Sequence, residues 1–118
     1  MGTFQKHLAI AREKMVTVIE AYEYKRNSVV GDLATKAVEQ LIEADAAQNG
    51  LHFGTHKERH EYSNASFPSH INKAMRKVWF AYGDLGYDGT NGNRAEAVMQ
   101  DLALIIDYFE ERLNEKIP

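Results

Sequence analysis

Three histidines stand four residues apart in one short segment of this chain, at His52, His56 and His60. On a continuous helix, side chains at that spacing lie one above another on the same face. Neutral imidazoles one turn apart can share a zinc or nickel ion. Gly54 weakens a helix where the first pair would need one, so the segment also fits a surface turn whose histidines cap helices or pair with nearby carboxylates. A metal site at His52, His56 and His60 is therefore one alternative interpretation.

The same segment places cationic side chains beside an aromatic ring. Such a group can hold a phosphate through charge-assisted hydrogen bonds while a tyrosine stacks on a base. We predict an anion site, for a nucleotide phosphate, formed by His56, Lys57, Arg59, His60 and Tyr62. Histidines titrate near pH 6.5, so anion binding should strengthen as the pH falls, whereas a metal would bind less tightly because protons compete for imidazole.

A long amphipathic helix leads into this histidine-rich turn. Between Asn27 and Asn49, apolar residues recur at steps of three and four, which predicts a helical stripe that faces a core. They are Val30, Leu33, Ala34, Ala37, Val38, Leu41 and Ile42. The charged and amide residues between them, including Glu39 and Glu43, are predicted to lie mostly on the outer side. Asn49 and Gly50 tolerate the left-handed conformation that ends a helix.

Three further segments show the same periodicity. A first helix is predicted over residues 3–25 with Thr3 as its N-cap, and a short polar break makes it an antiparallel neighbour of the second. A third begins near Pro68 and buries Met75 and Trp79, and a fourth runs from about Asn93, its N-cap, to Asn114. The glycine-rich stretch between these last two helices is predicted to be a loop of about ten residues. The economical fold is all-α, a four-helix up-and-down bundle.

Length and composition set the class of protein. A chain of 118 residues is one domain by size, 1–118, and it has no cysteine, which excludes thiol chemistry and disulfides. The N-terminus lacks an apolar run, so we expect neither a signal peptide nor a membrane span, and a cytoplasmic protein. A net charge of −3 argues against a broad basic surface for nucleic acid. Ile10 and Val16 widen the apolar surface of the first helix, which favours a homodimer.

From about Arg26 to Leu113 the arrangement resembles the HEPN domains, small helical bundles named for nucleotide binding in higher eukaryotes and prokaryotes. The resemblance is carried by the second helix and histidine turn, by an amphipathic third helix, and by a glycine-rich turn before a closing helix. The first and last of these are GDLATKAVEQLIEADAAQNGLHFGTHKER and RAEAVMQDLALIIDYFEERL. RNA-cleaving members carry an arginine followed, after four to six intervening residues, by a histidine. No arginine here has a histidine at that spacing, since Arg59 is followed by His60 at once and next by His70.

The resemblance therefore implies a non-catalytic module that binds a nucleotide, RNA or a partner protein, with no cofactor beyond that nucleotide and no assigned catalytic residue. One alternative is a metal-independent ribonuclease or toxin–antitoxin component in which His56, Arg59 or His60 acts as acid or base. A second alternative is a metal-binding protein that holds zinc through the histidine cluster.

Overall fold

The computed structural model describes residues 3–89 and 92–117, and these fold into helices with no strand. The helices within the described ranges are α1 (Thr3–Glu23), α2 (Asn27–Ala47), α3 (His56–Ser66), α4 (Ser69–Asp88) and α5 (Gly92–Leu113). The all-α prediction is confirmed, and the prediction of four helices is wrong because α3 is an additional one. Among the described residues, no helix combines the length and the apolar character that crossing a membrane requires.

The central element is α2, which packs against each of the other four helices. Its predicted stripe is buried except for Leu33, which is partly buried, and Val30, Ala34, Val38 and Leu41 are fully inaccessible to solvent. Burying one side chain of valine or leucine size contributes about 1.5–3 kcal/mol. The three residues between α1 and α2 fold the pair into an antiparallel hairpin, as predicted, and Gly50 takes the left-handed conformation (φ 73°) just beyond α2.

The additional helix α3 lies where the sequence predicted a histidine-rich turn and a loop. Its N-cap is Thr55, whose hydroxyl accepts the Glu58 N–H at 3.2 Å, while the Glu58 carboxylate accepts from the Thr55 hydroxyl at 3.0 Å and from the Gly54 N–H at 3.2 Å. The hydrogen bond from the Thr55 side chain is the main cause that lowers the pKa of Glu58. This is a capping box, a Thr followed three residues later by a Glu. Only Ser63 of α3 is buried, so its residues show no apolar stripe.

The predicted glycine-rich loop is shorter than expected, because α4 continues through Gly83 and Gly86 to Asp88. Buried Leu85 anchors this last turn, and Gly89 ends the helix in the left-handed conformation (φ 32°). The backbones of α2 and α4 approach closely here, since a Cβ on Gly31 would stand 2.7 Å from the Gly86 nitrogen. Small residues on both helices permit that crossing.

The predicted helix caps fall at the edges of the described ranges. Because α5 begins at Gly92, Asn93 lies in its first turn and is not the cap. Thr3 is the first described residue of α1, and the residue before it lies outside the described ranges. Thr90 and Asn91, which belong to the predicted loop, also lie outside them.

Candidate functional site

The functional site candidate forms where α3 lies against α2 and α4. His56, Arg59 and His60 stand at positions i, i+3 and i+4 of α3, so they share one face. Glu39 and Glu43 of α2, also four residues apart, meet that face. The Arg59 Nε donates to Glu43 Oε2 at 2.8 Å, Arg59 Nη1 lies 3.5 Å from Glu39 Oε2, and the same Glu39 oxygen lies 2.5 Å from His56 Nδ1.

Glu43 was predicted to lie on the outer side of α2, and this prediction is wrong. Its side chain is 1% exposed, because α3 and the segment before it cover this end of α2. The carboxylate is satisfied there by Arg59 and by the Phe53 N–H, which donates to Oε1 at 3.1 Å. A buried carboxylate needs such partners, since an unpaired one would cost several kcal/mol.

An aromatic wall continues the site onto α4. The His60 ring stacks on Trp79 with centroids 3.8 Å apart and planes inclined by 18°, and the His56 ring lies 4.1 Å from that of His60. Burial lowers the pKa of His60, the neighbouring His56 lowers it further, and Glu39 opposes the shift. Trp79 was predicted to lie in the core, but it is only partly buried and forms part of this wall.

These groups border a cleft of about 340 Å³, which we call the α2–α4 cleft. Its lining residues are Thr35, Lys36, Glu39, His56, Arg59, Trp79 and Tyr82. Arg59 is committed to two carboxylates, whereas Lys36 is exposed and has no ion-pair partner among the described residues. Two buried nitrogens in the wall, Trp79 Nε1 and His60 Nε2, also have no hydrogen-bond partner within that part of the chain. The cleft therefore offers an ammonium group beside the aromatic rings of Trp79 and Tyr82.

The structure brings together only part of the predicted anion site. His56 and Arg59 line the cleft, while His60 does not line it but stacks on Trp79, which does. Lys57 is exposed on α3 and is not among the lining residues. Tyr62 belongs to a different contact, where its hydroxyl donates to Asp45 at 2.6 Å.

The sequence interpretation missed Lys36, Glu39, Trp79 and Tyr82 as cleft residues. A signal for Glu39 existed, because carboxylates at Glu39 and Glu43 repeat the four-residue spacing of His56 and His60. Nothing in the local pattern of α4 indicated that Trp79 would face a cleft.

The three histidines predicted as an alternative metal site do not share a helix, because α3 begins at His56. His52 lies in the segment between α2 and α3, where its Nδ1 is 3.6 Å from Glu43 Oε1 and its ring stacks near His7 at a centroid distance of 5.7 Å. His56 and His60 instead contact Glu39 and Trp79. The predicted cluster is thus divided between two neighbourhoods, His52 beside His7 and Glu43, and His56 with His60 beside Glu39 and Trp79.

A separate polar contact joins three helices away from the cleft. The Asp45 carboxylate of α2 accepts from Arg112 Nε of α5 at 2.6 Å and from the Tyr62 hydroxyl of α3. The hydrogen bond to Asp45 raises the pKa of Arg112. Burial, followed by the same carboxylate, raises the pKa of Tyr62. Both partners thus keep their protons at neutral pH, and the contact is a stabilising clamp.

Comparisons with protein-family models, curated proteins and solved structures found no match to this chain. The HEPN resemblance accordingly stays a prediction, and the function must be argued from the cleft itself.

Proposed function

We propose that this protein is a non-catalytic binding module that takes a nucleotide, free or within RNA, in the α2–α4 cleft. The observation that carries the proposal is that one cleft combines the ammonium group of Lys36, which has no ion-pair partner in the described part of the chain, with the aromatic rings of Trp79 and Tyr82. Its volume of about 340 Å³ falls at the lower end of ligand pockets. Cations beside stacking rings are what a nucleotide needs, since they match its phosphate and its base.

The cleft residues have different roles in the proposed binding of a nucleotide. Lys36 supplies the charge that meets the phosphate, because the charge of Arg59 is already offset by Glu39 and Glu43. Arg59 then acts as a positioning residue that holds α3 against α2. The base stacks on Tyr82 or on the face of Trp79 that His60 leaves open, a contact worth about 1–3 kcal/mol per base. The net charge of −3 does not oppose this, because salt screens distant carboxylates beyond about 10 Å.

Trp79 allows a direct test, because it is the only tryptophan in the chain. Titration with AMP, ATP and a short oligouridylate should change its fluorescence and yield a dissociation constant for each. Lys36→Ala should weaken the binding of ATP by about tenfold, the loss of one charge-assisted contact. Tyr82→Ala should weaken the binding of all three ligands.

Lys57→Ala is the matched control, since it removes an exposed lysine on α3 that does not line the cleft. It should leave each dissociation constant unchanged within a factor of about two. The proposal fails if no ligand binds at millimolar concentration. It also fails if Lys57→Ala weakens binding while Lys36→Ala does not.

A second candidate function, RNA cleavage without a metal, is favoured by the pair of imidazoles. Glu39 orients His56, and His60 stands beside it with a lowered pKa, so that one ring could remove a proton and the other supply one. Incubating the protein with mixed RNA in the presence of EDTA tests this. Cleavage that disappears in His60→Ala would replace the binding-only proposal with this one.

We also propose that the protein is a cytoplasmic homodimer. A groove of about 330 Å³, with Met15, Ile19, Met99, Leu102 and Ile106 among its lining, lies between α1 and α5. Val16, on α1, is 53% exposed. A second copy that covered this apolar surface would remove it from water. Sedimentation that shows only monomer at tens of micromolar would contradict the dimer.

A further inference from the structure

His7, Glu43 and His52 converge from three different parts of the chain. His7 lies on α1, Glu43 on α2, and His52 in the segment that joins α2 to α3. One ligand atom from each lies within 4.8 Å of the other two. We propose that these three side chains form a site for a divalent transition-metal ion, of which zinc is the best fit. Two imidazoles and one carboxylate are a ligand set that zinc accepts, with a fourth position left for water.

The hydrogen bond of His7 prepares its ring for a metal. His7 Nδ1 lies 2.7 Å from Gln40 Oε1, an amide oxygen that can only accept, so Nδ1 carries the proton. In the neutral ring this places the lone pair on Nε2, the nitrogen that remains for an ion. Histidines that ligate metals usually donate their other N–H to an oxygen in this way, which fixes both the tautomer and the orientation of the ring. Gln40 is therefore a positioning residue for the site.

Glu43 is held so that one of its oxygens remains available. Arg59 binds Oε2, while Oε1 accepts the Phe53 N–H alone among the described residues and keeps a lone pair for a further partner. The charge of Arg59 is shared with Glu39, so the two carboxylates together exceed the one guanidinium by one negative charge. The two carboxylates thus offset the repulsion between Arg59 and an incoming divalent cation.

The gap between His52 and Glu43 has the size that a shared ion requires. His52 Nδ1 lies 3.6 Å from Glu43 Oε1, which is too long for a good hydrogen bond. Two ligand atoms on one tetrahedral zinc, each about 2.0–2.2 Å from it, are about 3.4 Å apart. The side chain of His52 is 67% exposed, so it can rotate to close the wider separations in the cluster. A second cleft of about 300 Å³, lined in part by Phe4, Leu51 and His52, provides an entry path for the ion.

The test is a zinc titration of EDTA-treated protein in competition with a chromophoric chelator at pH 7.5. One zinc per chain should bind. His52→Ala and His7→Gln should each weaken the affinity by at least about tenfold, and Gln40→Leu by about 10–100-fold through loss of the orienting hydrogen bond. His70→Ala, which removes an exposed histidine on α4, is the matched control and should bind zinc as the wild type does.

His7 is buried, so His7→Gln could lose zinc by unfolding, and circular dichroism must show that this variant keeps the native helix content. His52 is exposed, so His52→Ala tests the site without that complication. At the same zinc concentration, the melting temperature of the wild type should rise more than that of His52→Ala. The proposal is overturned if the wild type fails to bind zinc, or if His52→Ala binds it with unchanged affinity. It is equally overturned if only His56→Ala and His60→Ala lose the ion, which would place the metal in the other neighbourhood. Nucleotide binding followed through Trp79 is a separate measurement, so the two proposals fail independently.

Discussion

Replacing Arg112 by methionine should destabilise the protein strongly, although Arg112 lies at the surface. The change removes the guanidinium that donates to Asp45 at 2.6 Å and 3.3 Å, while methionine preserves most of the apolar stem. The Asp45 side chain is only 3% exposed, and among the described residues the Tyr62 hydroxyl would be the one side-chain donor left to it. The buried carboxylate would then lack most of its compensation.

The magnitude follows from the burial of each partner. Removing one member of a buried ion pair costs roughly 3–5 kcal/mol because the other charge is left uncompensated. Arg112 is 35% exposed, so water can reach the space it leaves, and we expect a loss near the lower limit, about 3 kcal/mol. For a domain of this size, that lowers the melting temperature by roughly 10–15 °C.

Urea denaturation of four proteins measures the effect: the wild type, Arg112→Met, Asp45→Asn and the double variant. The double variant should be more stable than the sum of the two single losses predicts, because it no longer buries an unpaired charge. Arg76→Met removes an exposed arginine of α4 and should change the free energy of unfolding by less than about 0.5 kcal/mol. A loss below about 1 kcal/mol for Arg112→Met, or additive losses in the double variant, would refute the reasoning.

Three further changes test other parts of the fold. Thr55→Ala removes the N-cap of α3 and should lower the free energy of unfolding by about 1 kcal/mol, measured by urea denaturation. An unchanged free energy of unfolding would show that the cap does not stabilise the protein. Gly31→Ala should lower the free energy of unfolding by about 1–3 kcal/mol, because its Cβ would meet the backbone of α4. Gly83→Ala is the control and should be neutral or slightly stabilising, because no atom lies within 4 Å of a Cβ at that position. Equal melting temperatures for the two variants would contradict the close crossing of α2 and α4. The pKa of His60 is lowered in the folded protein, so its contribution to the free energy of unfolding is present above pH 6.5 and is lost as the pH falls below that value. The free energy of unfolding, measured between pH 7.5 and 5, should therefore depend less on pH in His60→Gln than in the wild type. An equal pH dependence in the two proteins would contradict this reasoning.

The helix α3 shows how a correct fold class can coexist with a missed element. Its residues form no apolar stripe, so the periodicity that predicted the other helices gave no helix signal for this segment. The capping box from Thr55 to Glu58 was nevertheless present in the sequence, and weighing it above Gly54 would have predicted a helix. The extension of α4 to Asp88, unlike the helix α3, had no signal in the local sequence, because Gly83 and Gly86 disfavour a helix. They remain helical because Leu85 is buried and α2 packs closely against this turn.

The sequence by itself determined that α2 would be long and amphipathic, because a stripe of period 3.6 depends only on local spacing. It also determined that the chemically capable residues would cluster around His56, Arg59 and His60. Only the tertiary structure decided their partners, because contacts between helices depend on how those helices cross. Lys36, Trp79 and Tyr82 come from other helices to border the cleft, while Tyr62 is drawn away to Asp45. His7 meets His52 across 45 residues of chain only because α1 folds back along α2, and no local pattern encodes that meeting.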